Sequence, residues 1–363
     1  MSRFLPGRNL LIILCLIITS CDTGNQHDID AFICSGNDRF SGYILVARKG
    51  KVLFEKGYGQ SNREWETANS ATTRFRIASI TKQFTAMLVM QLKQAGKLDL
   101  QATVCDYLPG YRKDTGSEIT IHHLLTHTSG VPEYTDMDFD NLSRQHYQAP
   151  QQIIDLFCDK ELEFTPGTAY RYSNSGYVLL GAIIEAVTQK SYEEVLREQI
   201  LQVAGMNETG MDRTNEILPQ RAYGYKRVNG GYENAGFIDM SCIYAAGGIY
   251  STAGDLLLWE RALYSDILLS EENKKIMFTP FLDNYAYGIA VVKNHIPQLG
   301  KDVNFMFHQG GLPGFRSMLM TLPDDETTII ILSNDQDTDI DAIFNGIFAV
   351  LYGLTDMPDE DKP

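Results

Sequence analysis

Residues 75–90 read FRIASITKQFTAMLVM, a polar start followed by an apolar run that a buried helix needs. Ser79 and Lys82 stand three apart in it, so on a helix they share a face and the hydroxyl can meet the amine. A serine hydroxyl is a poor nucleophile until a neighbouring base takes its proton. A serine in a first turn also lies where backbone N–H groups point outward and the helix dipole is positive, which suits an oxyanion. Alone the pair is weak, because a chain of this size holds about one Ser-x-x-Lys by chance. An N-cap serine before a surface lysine has the same spelling.

Strands are expected on both sides of this helix. From Gly42 to Tyr58, YILVAR and KVLFEKGY flank Lys49-Gly50-Lys51, the pattern of a β-hairpin. The helix should run to about Ala95, with Gly96 as its stop. Three further apolar runs, Tyr287 to Lys293, Phe315 to Leu322 and Thr327 to Ser333, read as strands before a closing helix over Asp339 to Tyr352. The region between reads as helices: Thr120 to Gly130, Gln151 to Cys158, Tyr177 to Thr188, Tyr192 to Val203 opened by the capping box Ser191…Glu194, and Ala253 to Tyr264. Gly224 to Gly236 is loop-like in composition. The expected fold is therefore α+β: one antiparallel sheet built from N- and C-terminal segments, flanked by helices, with a mostly helical insertion.

The first 21 residues read as a leader. Arg3 and Arg8 precede the apolar run Leu10 to Ile18, which is too short to stay as a spanning helix. Ile18-Thr19-Ser20-Cys21 resembles the lipobox of bacterial lipoproteins, in which the cysteine is acylated after cleavage. The resemblance implies lipidation at Cys21 and an exported, membrane-anchored protein of the bacterial cell envelope. One domain is expected over residues 22–358, its α/β part at about 30–80 and 280–356 and its helical part at about 81–279.

Net charge is −15, and without Arg3 and Arg8 the balance is 29 basic against 46 acidic residues. Such a surface argues against nucleic acid as a partner. Cys34, Cys105, Cys158 and Cys242 lack the paired short spacings of a zinc site. His123 and His127 have the i, i+4 spacing of metal ligands, but no glutamate lies between them and no third ligand is evident. Packing and hydrogen bonding are the expected roles, with no metal and no cofactor.

Two more clusters carry chemistry. Tyr172-Ser173-Asn174 follows the Pro166-Gly167 turn. A tyrosine beside a lysine can have its phenol pKa lowered and act as a base, and an asparagine amide can hold a substrate carbonyl. Phe307-His308-Gln309-Gly310-Gly311 leads into an apolar strand. Its glycines would let a substrate backbone lie close to the strand edge, and His308 would be a switchable donor or cation.

Ser79-x-x-Lys82, Tyr172-x-Asn174 and His308-Gln309-Gly310-Gly311, in this order, resemble the serine β-lactamase and penicillin-binding-protein superfamily. The Tyr-x-Asn form, with Leu124 to Gly130 and His308 to Phe315, looks most like the class C β-lactamase-related branch of D,D-peptidases, D-amino-acid peptidases and esterases. The resemblance implies Ser79 as the acylated nucleophile, Lys82 as its proton acceptor, and Tyr172 sharing base duty. It implies Asn174, His308 and Gly310 at the substrate, and the N–H groups of Ser79 and Gly311 as an oxyanion hole. His308 departs from the lysine that β-lactamases of this branch carry, which argues for weak or no β-lactamase activity. The expected substrate is a small molecule or short peptide, a peptidoglycan stem peptide among them. The rival reading is a non-catalytic sensor that binds peptidoglycan, which would not need Ser79, Lys82 and Tyr172 together.

Overall fold

The computed structural model describes residues 20–35, 40–137, 139, 143 and 148–354, and for residues 20–25 the backbone only. The leader expected over 1–21 therefore lies outside the described residues up to position 19, and so does the side chain of Cys21. The chain falls into two compact units. The smaller holds helix α1 (Ser20–Ser35) and the chain from Asp341, most of helix α6 (Ile340–Tyr352). Within it, a Cβ on Gly346 would fall 1.8 Å from the Phe32 ring, so only glycine permits this approach of the two helices.

The larger unit is built on a six-stranded antiparallel sheet. Its strands are β1 (Gly42–Arg48), β2 (Lys51–Tyr58), β3 (Ala290–Ile296), β4 (Lys301–Leu312), β5 (Phe315–Leu322) and β6 (Thr327–Ser333), in the spatial order β3-β4-β5-β6-β1-β2. The sheet thus joins the two sequence segments at β6–β1, where Gly42 pairs with Ser333 and Arg48 with Thr327. Lys49 and Gly50 turn the first hairpin with φ of 50° and 71°, the positive pair that a two-residue turn matched to strand twist requires. β6 is buried along its whole length, as its unbroken TTIIILS demands.

Helix α2 (Thr81–Gln94) fills the core beside the sheet, with every residue from Thr81 to Met90 buried. Phe84 stacks on Trp259 at 4.1 Å between ring centroids, and Trp259 Nε1 donates to Gln83 Oε1 at 2.8 Å. That ties α2 to helix α5 (Ala253–Tyr264), which spans the range expected, packs on β1 and β6 and starts at the cap Thr252. On its far side α2 meets helix α4 (Asn174–Thr188) and the short helix Tyr244–Gly247.

Several boundaries differ from the sequence reading. Gly224–Gly236 is not a loop: it holds the hairpin Tyr225–Val228 and Gly231–Asn234, turned by Asn229-Gly230 at φ of 46° and 80°. Helix α3 (Ile121–Leu125) is capped by Thr120 but ends five residues before the expected Gly130, because His127 takes φ +59°. The helix from Tyr192 has its Ser191–Glu194 box but passes through a wider π turn at Arg197–Leu201. β4 begins at Lys301, well before the His308 cluster, and Glu271–Met277 is a helix not expected.

Candidate active site

Ser79 sits in a tight turn, Ala78–Ile80, that runs directly into α2. Ala78 is held at φ +47°, a left-handed conformation that costs a non-glycine residue. The turn is braced by β4. A Cβ on Gly310 would fall 2.3 Å from both Ile77 O and Ser317 Oγ, and Ser317 Oγ donates to Ile77 O at 2.8 Å. Glycine at 310 is therefore required by the close approach of the strand to the nucleophile turn, a demand that the sequence reading, which looked to the substrate, did not include.

One turn on, Lys82 is fully buried. Its Nζ lies 3.1 Å from Ser79 Oγ, 2.7 Å from Asn174 Oδ1 and 2.8 Å from Ala246 O. The ammonium also stands 4.7 Å from the centroid of the Tyr172 ring. Burial pushes the Lys82 pKa down to about 7, and the Glu133 carboxylate opposes that fall. Near neutrality the amine is therefore available without its proton. Two of its neighbours, Asn174 Oδ1 and Ala246 O, can only accept, so the two N–H bonds of a neutral amine go to them. The lone pair is left for the Ser79 hydroxyl.

Tyr172 hydrogen-bonds Ser79, but burial drives its phenol well above the ordinary tyrosine value. The lowered phenol expected from the sequence is thus not found: desolvation outweighs the Ser79 hydrogen bond, and the Tyr170 and Glu133 charges push the same way as burial. Tyr172 is a neutral O–H group beside the nucleophile. Asn174 opens α4, with Ser173 as the cap accepting from Gly176 N.

His308 is likewise not the switchable cation expected. Its Nδ1 donates to Gln309 O at 2.5 Å, its Nε2 accepts from Tyr285 OH at 2.9 Å, and the ring is buried. Burial first, and the Lys82 charge second, push its pKa down to about 3. Both ring nitrogens are taken, so it holds the tyrosine cluster rather than offering charge. His123 Nδ1 accepts from Thr120 N and His127 Nδ1 from Ser173 N. No group of three metal-ligating side chains occurs among the described residues.

From His308 onward β4 has no β3 partner, since the pairing of the two strands stops at Phe307. Among the described residues Gly310–Leu312 pair with no strand but β5, and Gly311 and Leu312 face the cleft. That cleft, about 220 Å³, is lined by Ser79, Asn174 and Gly311 on the polar side and by Phe139, Ile243 and Leu312 on the apolar side. Ser79, Lys82, Tyr172, Asn174 and Gly311 are thus brought together.

Three parts of the site have no sequence motif of their own: the Ala246 carbonyl, the strained Ala78 and the buried Glu133. Glu133 lies three residues past Gly130, and only its place just before a short helical turn marks it as more than a surface acid.

A serine whose hydroxyl meets a desolvated lysine at a helix start, beside a strand edge, defines a serine hydrolase of the β-lactamase and transpeptidase fold. The Beta-lactamase family model matches residues 29–352, and the chain belongs to that family. Penicillin-binding protein 4* of Bacillus subtilis is 31% identical over 343 residues, 88% of this chain and 74% of the relative. Among solved structures, a penicillin-binding protein from Bacillus halodurans superposes with a TM-score of 0.77 at 28% identity, covering 91% of this chain and 98% of that one. A D-stereospecific amidohydrolase from Streptomyces does so at 0.72 and 26%, covering 90% and 98%.

Proposed function

We propose that this protein hydrolyses small amides or esters through a Ser79 acyl-enzyme, as a D,D-carboxypeptidase, peptidase or esterase with little β-lactamase activity. The observation that carries the reading is the 3.1 Å contact of Ser79 Oγ with a lysine amine whose pKa burial has brought to about 7. Neutral Lys82 takes the Ser79 proton as Oγ attacks the substrate carbonyl carbon. The resulting oxyanion sits between the N–H groups of Ser79 and Gly311. Tyr172 O–H passes a proton to the leaving amine or alkoxide as its bond to carbon breaks, and is itself restored from Lys82. Water then attacks the ester by the same route reversed, releasing acid and free Ser79.

The substrate reading draws on the strand edge at Gly310–Leu312, which accepts an extended backbone, and on the D-stereospecific amidohydrolase among the similar structures. A neutral His308 where β-lactamases of this branch hold a lysine weighs against dedicated β-lactam turnover. We also propose export and anchoring through Cys21, a reading that rests on the leader sequence alone.

Intact-mass spectrometry with a fluorophosphonate, a penicillin and D-Ala-D-Ala peptides, together with small-ester turnover, tests the reading. One phosphonate should add, at Ser79. Labelling that survives Ser79→Ala unchanged sinks the mechanism.

A further inference from the structure

Glu133 is a buried acid that the reaction as drawn does not use. Its Oε2 accepts from the backbone N–H groups of Asn174, at 2.5 Å, and Ser175, at 3.4 Å. These are the first two residues of α4, where an anion is favoured by unpaired donors and by the helix dipole. Its Oε1 accepts from Thr135 N at 3.2 Å, Thr135 Oγ1 at 2.7 Å and the Asn174 side-chain Nδ2 at 3.3 Å. The last contact fixes more than itself. A carboxylate only accepts, so the amide must turn its NH₂ to Glu133 and its carbonyl to Lys82.

We propose that Glu133 is a positioning residue for the chemistry at Ser79: by holding the Asn174 amide in this sense, it aims the Lys82 lone pair at the Ser79 hydroxyl. With the amide reversed, the NH₂ would face the lysine. A neutral amine would then accept from Asn174 instead of from Ser79, and a charged one would lose an acceptor. The inference rests on the reading of Lys82 as proton acceptor.

The same carboxylate acts on Lys82 through space. The other titratable groups facing Lys82 are Tyr172 before α4, Tyr177 on α4, His127 after α3 and His308 on β4. The two histidines are held low by burial, and Tyr172 and Tyr177 are held high, so none changes charge between pH 6 and 8. Of the groups named, Glu133 is the one whose charge favours the protonated lysine.

The test follows kcat and kcat/KM for a small ester against pH in the full chain, normalised to the sites that a fluorophosphonate labels. Wild type, Glu133→Gln, Glu133→Asp and Ser79→Ala are compared. Glu133→Gln removes the charge and frees the amide. Its kcat per labelled site should fall by about tenfold or more. Its acid limb should move by about half a pH unit toward lower pH, because desolvation then acts on Lys82 unopposed. Glu133→Asp keeps the charge but draws back from Asn174 Nδ2. Its limb should stay in place while kcat per site falls. A purely structural role would lower Tm and the labelled fraction and leave kcat per site and the limb where they were; that result overturns the proposal. If Glu133→Gln does not fold, an unchanged kcat per site in Glu133→Asp overturns it alone. A wild type that turns over substrate but never labels at Ser79 overturns the acyl-enzyme reading, and this inference falls with it. Labelled wild type with unaltered Glu133 variants removes only this inference.

Discussion

Nζ of Lys82 lies 3.1 Å from Oγ of Ser79, and no part of that lysine reaches solvent. A water-exposed lysine at this distance would be charged at neutral pH and useless as a base. Burial reverses this by bringing its pKa down to about 7. The acid limb of kcat/KM should therefore fall near pH 7, activity rising as Lys82 loses its proton and levelling above. Steady-state kinetics on a neutral ester from pH 5.5 to 9 check this. Activity that is flat across pH 6 to 8 would remove Lys82 as the base.

His308 gives a second expectation. Its ring is buried between Tyr285 and its own strand, with both nitrogens bonded. It should show no titration between pH 5 and 8, and its NMR spectrum should report the Nδ1–H tautomer throughout. The ratio of turnover for a peptide with a free carboxylate to that for a neutral ester should then be constant over this range. A tenfold drop in that ratio from pH 6 to 8 would mean that a histidine charge reads the carboxylate after all.

Much of this was legible in the sequence, and the rest was hidden for physical reasons. The hairpin Gly42–Tyr58, the run of α2 and the strand Thr327–Ser333 follow from apolar period and turn residues, and the structure has them where expected. Ser79, Lys82, Tyr172, Asn174 and Gly311 are visible as short motifs; Ser79, Asn174 and Gly311 line one cleft, and Lys82 and Tyr172 meet Ser79 beside it. What spacing could not reveal was burial. The protonation of Lys82, Tyr172 and His308 is decided by desolvation, a property of everything packed around them. For Tyr172 and His308 it overturned the expectation drawn from neighbouring residues alone. Glu133 and the Ala246 carbonyl went unseen because one resembles any surface acid and the other has no side-chain identity. The hairpin at Asn229-Gly230 is different: its Asn-Gly turn was in plain view, and the surrounding glycines made it read as loop.

The proposed leader yields a prediction independent of the site. With Cys21 as the acylated residue, the mature protein in a bacterial host should partition into detergent. Several acyl chains on one protein anchor stably where one binds only marginally. Cys21→Ser should shift the protein to the soluble fraction of the envelope without changing turnover per labelled site. Equal recovery of both forms in that fraction would contradict the lipid anchor. Among the described residues no helix is long and apolar enough to cross a membrane, so none of them offers a helical span in its place.

The buried lysine also sets a cost in stability whose pH dependence has a definite sign. In the unfolded chain Lys82 holds its proton up to about pH 10.4. In the folded protein it lets go at about 7. Between these values the unfolded state binds the extra proton, so raising the pH favours the fold; below 7 both states are charged and the burial penalty is full. Lys82→Met removes this titration. It also strips partners from Ser79, Asn174 and Ala246, but that loss does not vary with pH. The stability of wild type relative to Lys82→Met should therefore rise by about 1.4 kcal/mol per pH unit from 7 toward 10, and be level below 7. Denaturant melts of both proteins at pH 6, 7, 8 and 9 measure the difference, with most other titrations common to the two cancelling. Parallel stability curves from pH 7 to 9 would show that Lys82 keeps its proton in the folded protein, and the amine could not then be the base for Ser79.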